Sequence, residues 1–384
     1  MDSHSRFLDE ISGKSINFLI GSGASAGVIP TLWIKPLNKS FEDLLTSSYY
    51  TEDQRDVLYF IWFNIWIRKT LILEEDDSNR EVIKDYTKFI SNLVAVLNNE
   101  GFDKPKRINI FTTNYDTFFE LSFDKIAQRN RLTYFNDGSR GFLNKYISSD
   151  NYYINASHSG MSDSFQRNIP TINLLKMHGS VTWIKKEENI SVSLNNEVFE
   201  EVIKKADEID TSKVPFFSED TIIENFSTKD KDSYSEDDLK KHIDDLISTE
   251  ETKIKAFKAA YNKLSVVNPT KVKFNETVFE QHYYQMLRLL SHELERKNSI
   301  LIVFGFSFAD EHILEIVRRS IVNPHLKTYI IGYDEAAKKQ IKDRLEVITS
   351  IDFLPNGGNK IDGYEVLGNF NFLNSLLNGR GDKT

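Results

Sequence analysis

The chain has 384 residues, of which 40% are hydrophobic and 27% charged, with a formal charge of −9 and no cysteine. That balance fits a soluble globular chain with room for one large α/β domain and its insertions. It excludes a disulfide framework, a cysteine nucleophile and every cysteine-based zinc site, and it argues against gripping a nucleic-acid backbone by bulk charge.

The polar opening MDSHSRFLDEISGK does not read as a signal peptide. No uncharged apolar run approaches the roughly 18–20 residues of a membrane span. A cytoplasmic setting without a membrane partner is therefore expected.

The first strong strand is expected at 16–20, an apolar run that suits a buried parallel strand. Gly21-Ser22-Gly23-Ala24-Ser25-Ala26-Gly27 follows directly. Small residues there let a pyrophosphate approach backbone N–H groups, although the G-x-G-x-x-x-G spacing is one residue off the common dinucleotide fingerprint and also suits a turn without a ligand. Residues 41–104 read as a helical insertion, with Val57, Phe60, Ile61, Ile65, Phe89, Leu93, Val96 and Leu97 at helical spacing.

A second strand at 108–111 leads into Thr112-Thr113-Asn114-Tyr115-Asp116. Beyond the carboxyl end of a strand this cluster is well placed for a ligand, and it is equally a good helix cap. A third strand at 172–177 ends in Lys176-Met177-His178-Gly179-Ser180-Val181-Thr182-Trp183, where His178 could face a cleft or be structural.

Residues 186–261 read as a polar and acidic insertion. Within it, 218–251 carries twelve Asp/Glu against four Lys, the pattern of a solvated insertion, partly helical or mobile, with a lid or partner-docking role as the alternative. A helix at 277–294 precedes a strand at 300–304. Gly305-Phe306-Ser307-Phe308-Ala309-Asp310-Glu311-His312 then opens a helix at 310–321, with Asp310 as its cap. A strand at 329–331 precedes Asp334, and the roughly fifty residues after it read as further strand and helix. Strands alternating with helices predict an α/β, Rossmann-like, mostly parallel sheet with helices on both faces, here as one domain over 1–384.

The glycine turn, the T-x-N-x-D segment, the H-G segment and the later G-x-S segment occur in the order found around the NAD site of the sirtuin-like family, which the chain resembles from about Ile16 to Asp334. The resemblance implies that Gly21, Ser22, Gly23 and Ser25 line the diphosphate and ribose, with Thr113 among the cofactor-binding residues. Asn114 would orient the nicotinamide ribose and a water, and Asp116 would hold the carboxamide. His178 would act as base, Gly305 and Ser307 would contact phosphate or adenosine ribose, and Asp334 would bind adenosine ribose hydroxyls. Asn114 and His178 are the catalytic pair of that reading.

Protein-deacylating sirtuins carry a four-cysteine zinc ribbon after the H-G segment. This chain has none and its acidic insertion lies roughly there, so no metal is expected. Ile29-Pro30 is followed by Thr31-Leu32-Trp33 where the family has Asp-Phe-Arg. The longer strings look like the bacterial antiphage branch, NAD glycohydrolases that deplete NAD, some working beside a HerA-like hexameric ATPase. The resemblance thus implies cleavage of NAD+ to nicotinamide and ADP-ribose by a homo-oligomer under the control of such an ATPase or another phage-sensing activator. The rivals are a module that senses NAD or ADP-ribose without hydrolysis, and a subunit acting on DNA with a HerA-like ATPase. Against the latter, the chain shows no metal-binding carboxylate cluster at a strand end and no basic stripe.

Overall fold

The computed structural model describes residues 3–34, 37, 39–101, 106–160, 166–214, 235–266, 278–346, 351–355, 360–361 and 364–378. The chain, expected as one domain, divides into two compact units: Met1–Val28, Ile72–His178 and Gln281–Thr384 in the first, Ile29–Leu71 and Gly179–Glu280 in the second.

The first unit is built on seven strands: β1 Ser15–Ile20, β2 Arg107–Thr112, β3 Tyr134–Asn136, β4 Thr171–Lys176, β5 Ser299–Phe304, β6 Leu326–Ile331 and β7 Ile351–Leu354. All neighbours are parallel, in the order β7-β6-β5-β1-β2-β4-β3. The Rossmann-like α/β class expected from the alternating pattern is the fold observed. β3, of three residues, was not anticipated, and β7, of four, lies in the stretch after Asp334 expected to hold a further strand and helix without bounds. Their runs are too short to give a periodic signal.

The two faces of the sheet differ chemically because alternate residues point to opposite sides. Phe18 of β1 and Phe304 of β5 meet Phe89 and Phe370, with ring centroids 5.1 Å and 4.7 Å apart. Those partners lie on α4 (Arg80–Asn99) and, at the other end of the unit's sequence, on the helix Phe370–Asn378. Fully burying each such ring stabilises the unit by about 1.5–3 kcal/mol.

On the other face Asn17, Asn109, Asn173 and Asn136 stand in register across β1, β2, β4 and β3. Asn109 Nδ2 donates to Asn17 Oδ1 at 2.8 Å, Asn173 to Asn109 at 2.8 Å, and Asn136 to Asn173 at 3.0 Å. Asn17 completes the ladder by donating to Ser299 Oγ at 3.1 Å. A one-residue slip would bury these amides unpaired, so the ladder specifies strand register.

The second unit is mostly helical. α2 (Phe41–Thr46) and α3 (Glu52–Ile65) each open with a capping box, Ser40 with Asp43 and Thr51 with Gln54. The stretch read as one helical insertion over 41–104 therefore contributes to both units, since α4 belongs to the first; its residues 102–104 lie outside the described residues. The hairpin of Trp183–Lys186 and Asn189–Val192 precedes α6 (Glu197–Asp207).

The acidic insertion is only partly as expected. Residues 215–234 lie outside the described residues. Beyond them the chain forms a 26-residue helix, α7 (Glu236–Tyr261), with Leu239, Ile243, Leu246, Ile254, Phe257 and Tyr261 buried. With the buried Glu250 these positions recur every three or four residues, so one stripe is apolar but for that carboxylate while the other faces hold most of the charges. A partly helical segment was expected here, but counting charges alone concealed its buried stripe. Phe257 meets Phe60 and Phe63 of α3 at 5.6 Å and 5.7 Å. Among the described residues no helix is long and apolar enough to cross a membrane.

Candidate functional site

β1, β2, β4 and β5 run in parallel, and Ile20, Thr112, Lys176 and Phe304 are matched in register. The segments after these strands therefore emerge side by side. The chain leaves β1 toward β2 and later crosses back to β5 on the other side of β1. That reversal is the switch point at which open parallel sheets bind ligands beyond the carboxyl ends of the strands.

The glycines at this point have a packing reason. Gly23 N–H donates to the Gly305 carbonyl at 2.9 Å, Gly21 N–H to Phe304 O at 3.0 Å, and Ala24 N–H to Gly21 O at 3.0 Å. A Cβ on Gly21 would lie 2.5 Å from Gly305 O, and one on Gly23 2.8 Å from Gly305 Cα. Gly305 has φ 63°, a left-handed conformation that glycine adopts without strain. Residues Ser22–Ser25 close as a 3₁₀ turn. Three amides of the turn expected to cradle a diphosphate are thus engaged by backbone carbonyls.

Ser25 is the centre of a buried polar cluster. Its Oγ donates to Asp116 Oδ2 at 2.8 Å, lies 2.8 Å from the Tyr86 hydroxyl, and accepts from Asn114 Nδ2 at 3.2 Å. Asn114 Nδ2 also donates to Gly21 O at 3.1 Å. A carbonyl can only accept, so this contact fixes which end of the amide is NH₂ and leaves Oδ1 as the acceptor Asn114 presents. Burial pushes the Asp116 carboxyl up, opposed by the nearby Lys176 ammonium. Lys176 is itself buried; it pairs with Glu120 at 2.8 Å and donates to the Asp116 carbonyl.

His178, two residues beyond β4, forms a second cluster. Its Nε2 lies 3.0 Å from Asp310 Oδ2, which also accepts from the Tyr283 hydroxyl at 3.4 Å. The other oxygen of Asp310 caps the helix Glu311–Ile321, accepting from His312 N at 2.9 Å and Ile313 N at 3.1 Å. A carboxylate at Nε2 holds the proton there, so in the neutral ring Nδ1 is the basic nitrogen. The His178 ring centroid lies 6.4 Å from Tyr115 and 5.8 Å from Tyr283. Burial, followed by the Asp310 charge, pushes the Tyr283 hydroxyl far up, which keeps it a neutral donor.

The structure thus joins Gly21, Gly23, Ser25, Asn114, Asp116 and Gly305 through direct contacts. Ser22 belongs to the same turn, and Thr113 N–H extends the ladder by donating to Ile20 O at 3.2 Å. Ser307 is exposed, and its carbonyl accepts from Arg344 at 2.8 Å. Asp334 follows β6, two strands from β1, and its carboxylate caps the helix Glu335–Leu345 through Ala337 N at 2.7 Å. No contact of Asp334 with the Ser25 cluster is observed.

Tyr86, Lys176, Tyr283 and the pairing of Asp310 with His178 were not foreseen. Lys176 alone had a sequence signal, a cation within an otherwise apolar buried run. Among the described residues no group of three or more His, Asp or Glu could hold a metal ion. No family model matches the chain, and no curated protein matches it.

Proposed function

We propose that this chain is an NAD glycohydrolase that cleaves NAD+ to nicotinamide and ADP-ribose, with Asn114 and His178 as its catalytic residues. The observation that carries the reading is a pair of pre-oriented groups beyond adjacent strands at the sheet's switch point: an asparagine with its amide NH₂ anchored and its carbonyl free to accept, and a histidine tied through Nε2 to a carboxylate.

In this mechanism the bond from ribose C1′ to the nicotinamide nitrogen breaks, and its electron pair leaves with nicotinamide. The transition state resembles an oxocarbenium ion. Asn114 Oδ1 accepts from the water or a ribose hydroxyl and holds it beneath the sugar face. Water adds to C1′ and its proton passes to His178 Nδ1, a role worth about 10²–10⁴-fold. Asp310 holds the imidazole in the required tautomer and stabilises the imidazolium. The overall change is NAD+ plus water to nicotinamide, ADP-ribose and one proton.

Binding at the Gly21–Ser25 turn requires its amides to exchange their Gly305 and Phe304 partners for phosphate oxygens. That requirement, together with the family resemblance, supports control by another chain, such as a HerA-like ATPase in antiphage defence. Nicotinamide release from NAD+, followed with and without that ATPase, tests the reading. Binding of NAD+ or ADP-ribose without turnover in either condition would replace it with the sensing module.

A further inference from the structure

A polar cavity of about 190 Å³ opens at the amino-terminal edge of the central sheet, lined by Ser15, Arg107, Asn155, Asn168, Thr171 and Arg296 among others. It lies at the opposite end of the strands from Asn114 and His178. β2 begins at Arg107 and ends at Thr112, a rise of about 17 Å at about 3.3 Å per residue.

The charges there are unbalanced. Among the described residues the lining holds one carboxylate, Glu293, which is engaged by Arg296 at 2.9 Å. Among the described residues Arg107 donates to two neutral oxygens, the Tyr153 carbonyl at 3.3 Å and Asn155 Oδ1. Its Nε is buried with no hydrogen-bond partner. Lys106, buried next to it in sequence, donates to the carbonyls of Leu97 and Glu100. A half-exposed guanidinium that, among the described residues, has no hydrogen-bonded carboxylate and keeps a buried, unmatched Nε–H offers an anion a charged donor.

The hydrogen-bonding inventory points the same way. Asn109 is tied at both ends of its amide within the asparagine ladder. Asn155 uses Oδ1 on Arg107 and so presents Nδ2. Arg107 Nε and Asn155 Nδ2 are therefore donors left for a ligand, beside the Asn168 amide and the Ser15 and Thr171 hydroxyls, which can also accept. At roughly 30 Å³ per water molecule the cavity has room for about six, more than a lone ion needs.

We propose that this cavity binds a compact molecule bearing a phosphate or carboxylate group, held by Arg107 and Asn155. The ligand class follows from the donor set and the volume, and the site is independent of NAD chemistry. Thermal unfolding and titration calorimetry on the full chain test it, with inorganic phosphate and succinate as probes and potassium chloride at matched ionic strength as the control. The wild type is expected to bind one of these oxyanions at one site per chain, with a saturable rise in Tm of roughly 2–4 °C that chloride does not reproduce. Which probe succeeds tells phosphate from carboxylate.

Arg107→Gln is expected to weaken that binding by at least about tenfold. Asn155→Asp places a carboxylate beside Arg107, so it should raise Tm without added anion and abolish the response to the probe. It also keeps the test decisive if Arg107→Gln does not fold. No saturable response to either oxyanion in the wild type, or an undiminished response in folded Asn155→Asp, would overturn the proposal.

Discussion

Replacing Asp310 by Asn separates the two tasks of one carboxylate. At the helix end, Asn is as good a cap as Asp. Its carbonyl can keep the bonds from His312 N at 2.9 Å and Ile313 N at 3.1 Å, so stability should stay within about 0.5 kcal/mol of wild type. At the other end an NH₂ replaces the oxygen that lies 3.0 Å from His178 Nε2. Two donors cannot face each other, so the ring must present Nε2 as an acceptor and carry its proton on Nδ1, where the base is needed. Turnover should fall by roughly 10²–10⁴-fold. Asp310→Ala should lose as much turnover and, in addition, about 1 kcal/mol of stability with the cap. The assay is nicotinamide release alongside thermal and urea denaturation. Near wild-type turnover in Asp310→Asn, or activity that follows stability across both variants, would refute the reasoning.

Gly305→Ala would put a Cβ 2.5 Å from Ala24 N and 2.9 Å from Gly23 C at φ 63°. Left-handed strain of about 1–2 kcal/mol and overpacking of about 1–3 kcal/mol should destabilise the fold by roughly 2–5 kcal/mol in urea, and an unchanged midpoint would contradict the close approach. Burial pushes His282 down to about 4 from 6.5, partly offset by its bond to the Lys176 backbone. As pH falls from 6.5 to about 4 the unfolded chain gains a proton that the folded chain refuses, so wild type loses about 3 kcal/mol there. His282→Asn should flatten that acid limb, and an identical pH profile would exclude His282 as its source. Lys176→Met would leave the half-buried Glu120 and the buried Asp116 without their cation and should cost about 1–3 kcal/mol. A melting temperature equal to wild type would contradict a stabilising role for the Lys176 ammonium.

The parts of this molecule legible in the sequence are those written in local pattern. The five strands at 16–20, 108–111, 172–177, 300–304 and 329–331 stand out because burial on both faces demands mostly apolar runs, although the first three each carry an asparagine. The residues brought to the switch point were legible as small or polar side chains directly after those runs. What escaped depends on pairing across sequence distance. Asp310 has the local signature of a cap, and nothing near it tells of His178, 132 positions away. Tyr86 reads as one more position on an amphipathic helix, although its hydroxyl reaches Ser25. The glycines suit either a phosphate or a close-packed turn, and only the fold brings Gly305 against them. The asparagine ladder was missed because each strand contributes a single amide, and only the register aligns them.

The central claim is that Asn114 and His178 break the nicotinamide–ribose bond. Purified wild type, Asn114→Ala and His178→Ala should be incubated with NAD+, alone and with the candidate ATPase partner, and nicotinamide and ADP-ribose quantified after circular dichroism confirms each fold. Equimolar products are expected from the wild type, and a loss of roughly 10²-fold or more in each variant. Raising the pH should restore some turnover to His178→Ala and none to Asn114→Ala. Near wild-type turnover in either folded variant, or NAD+ bound but left intact by the wild type with its partner present, would contradict it.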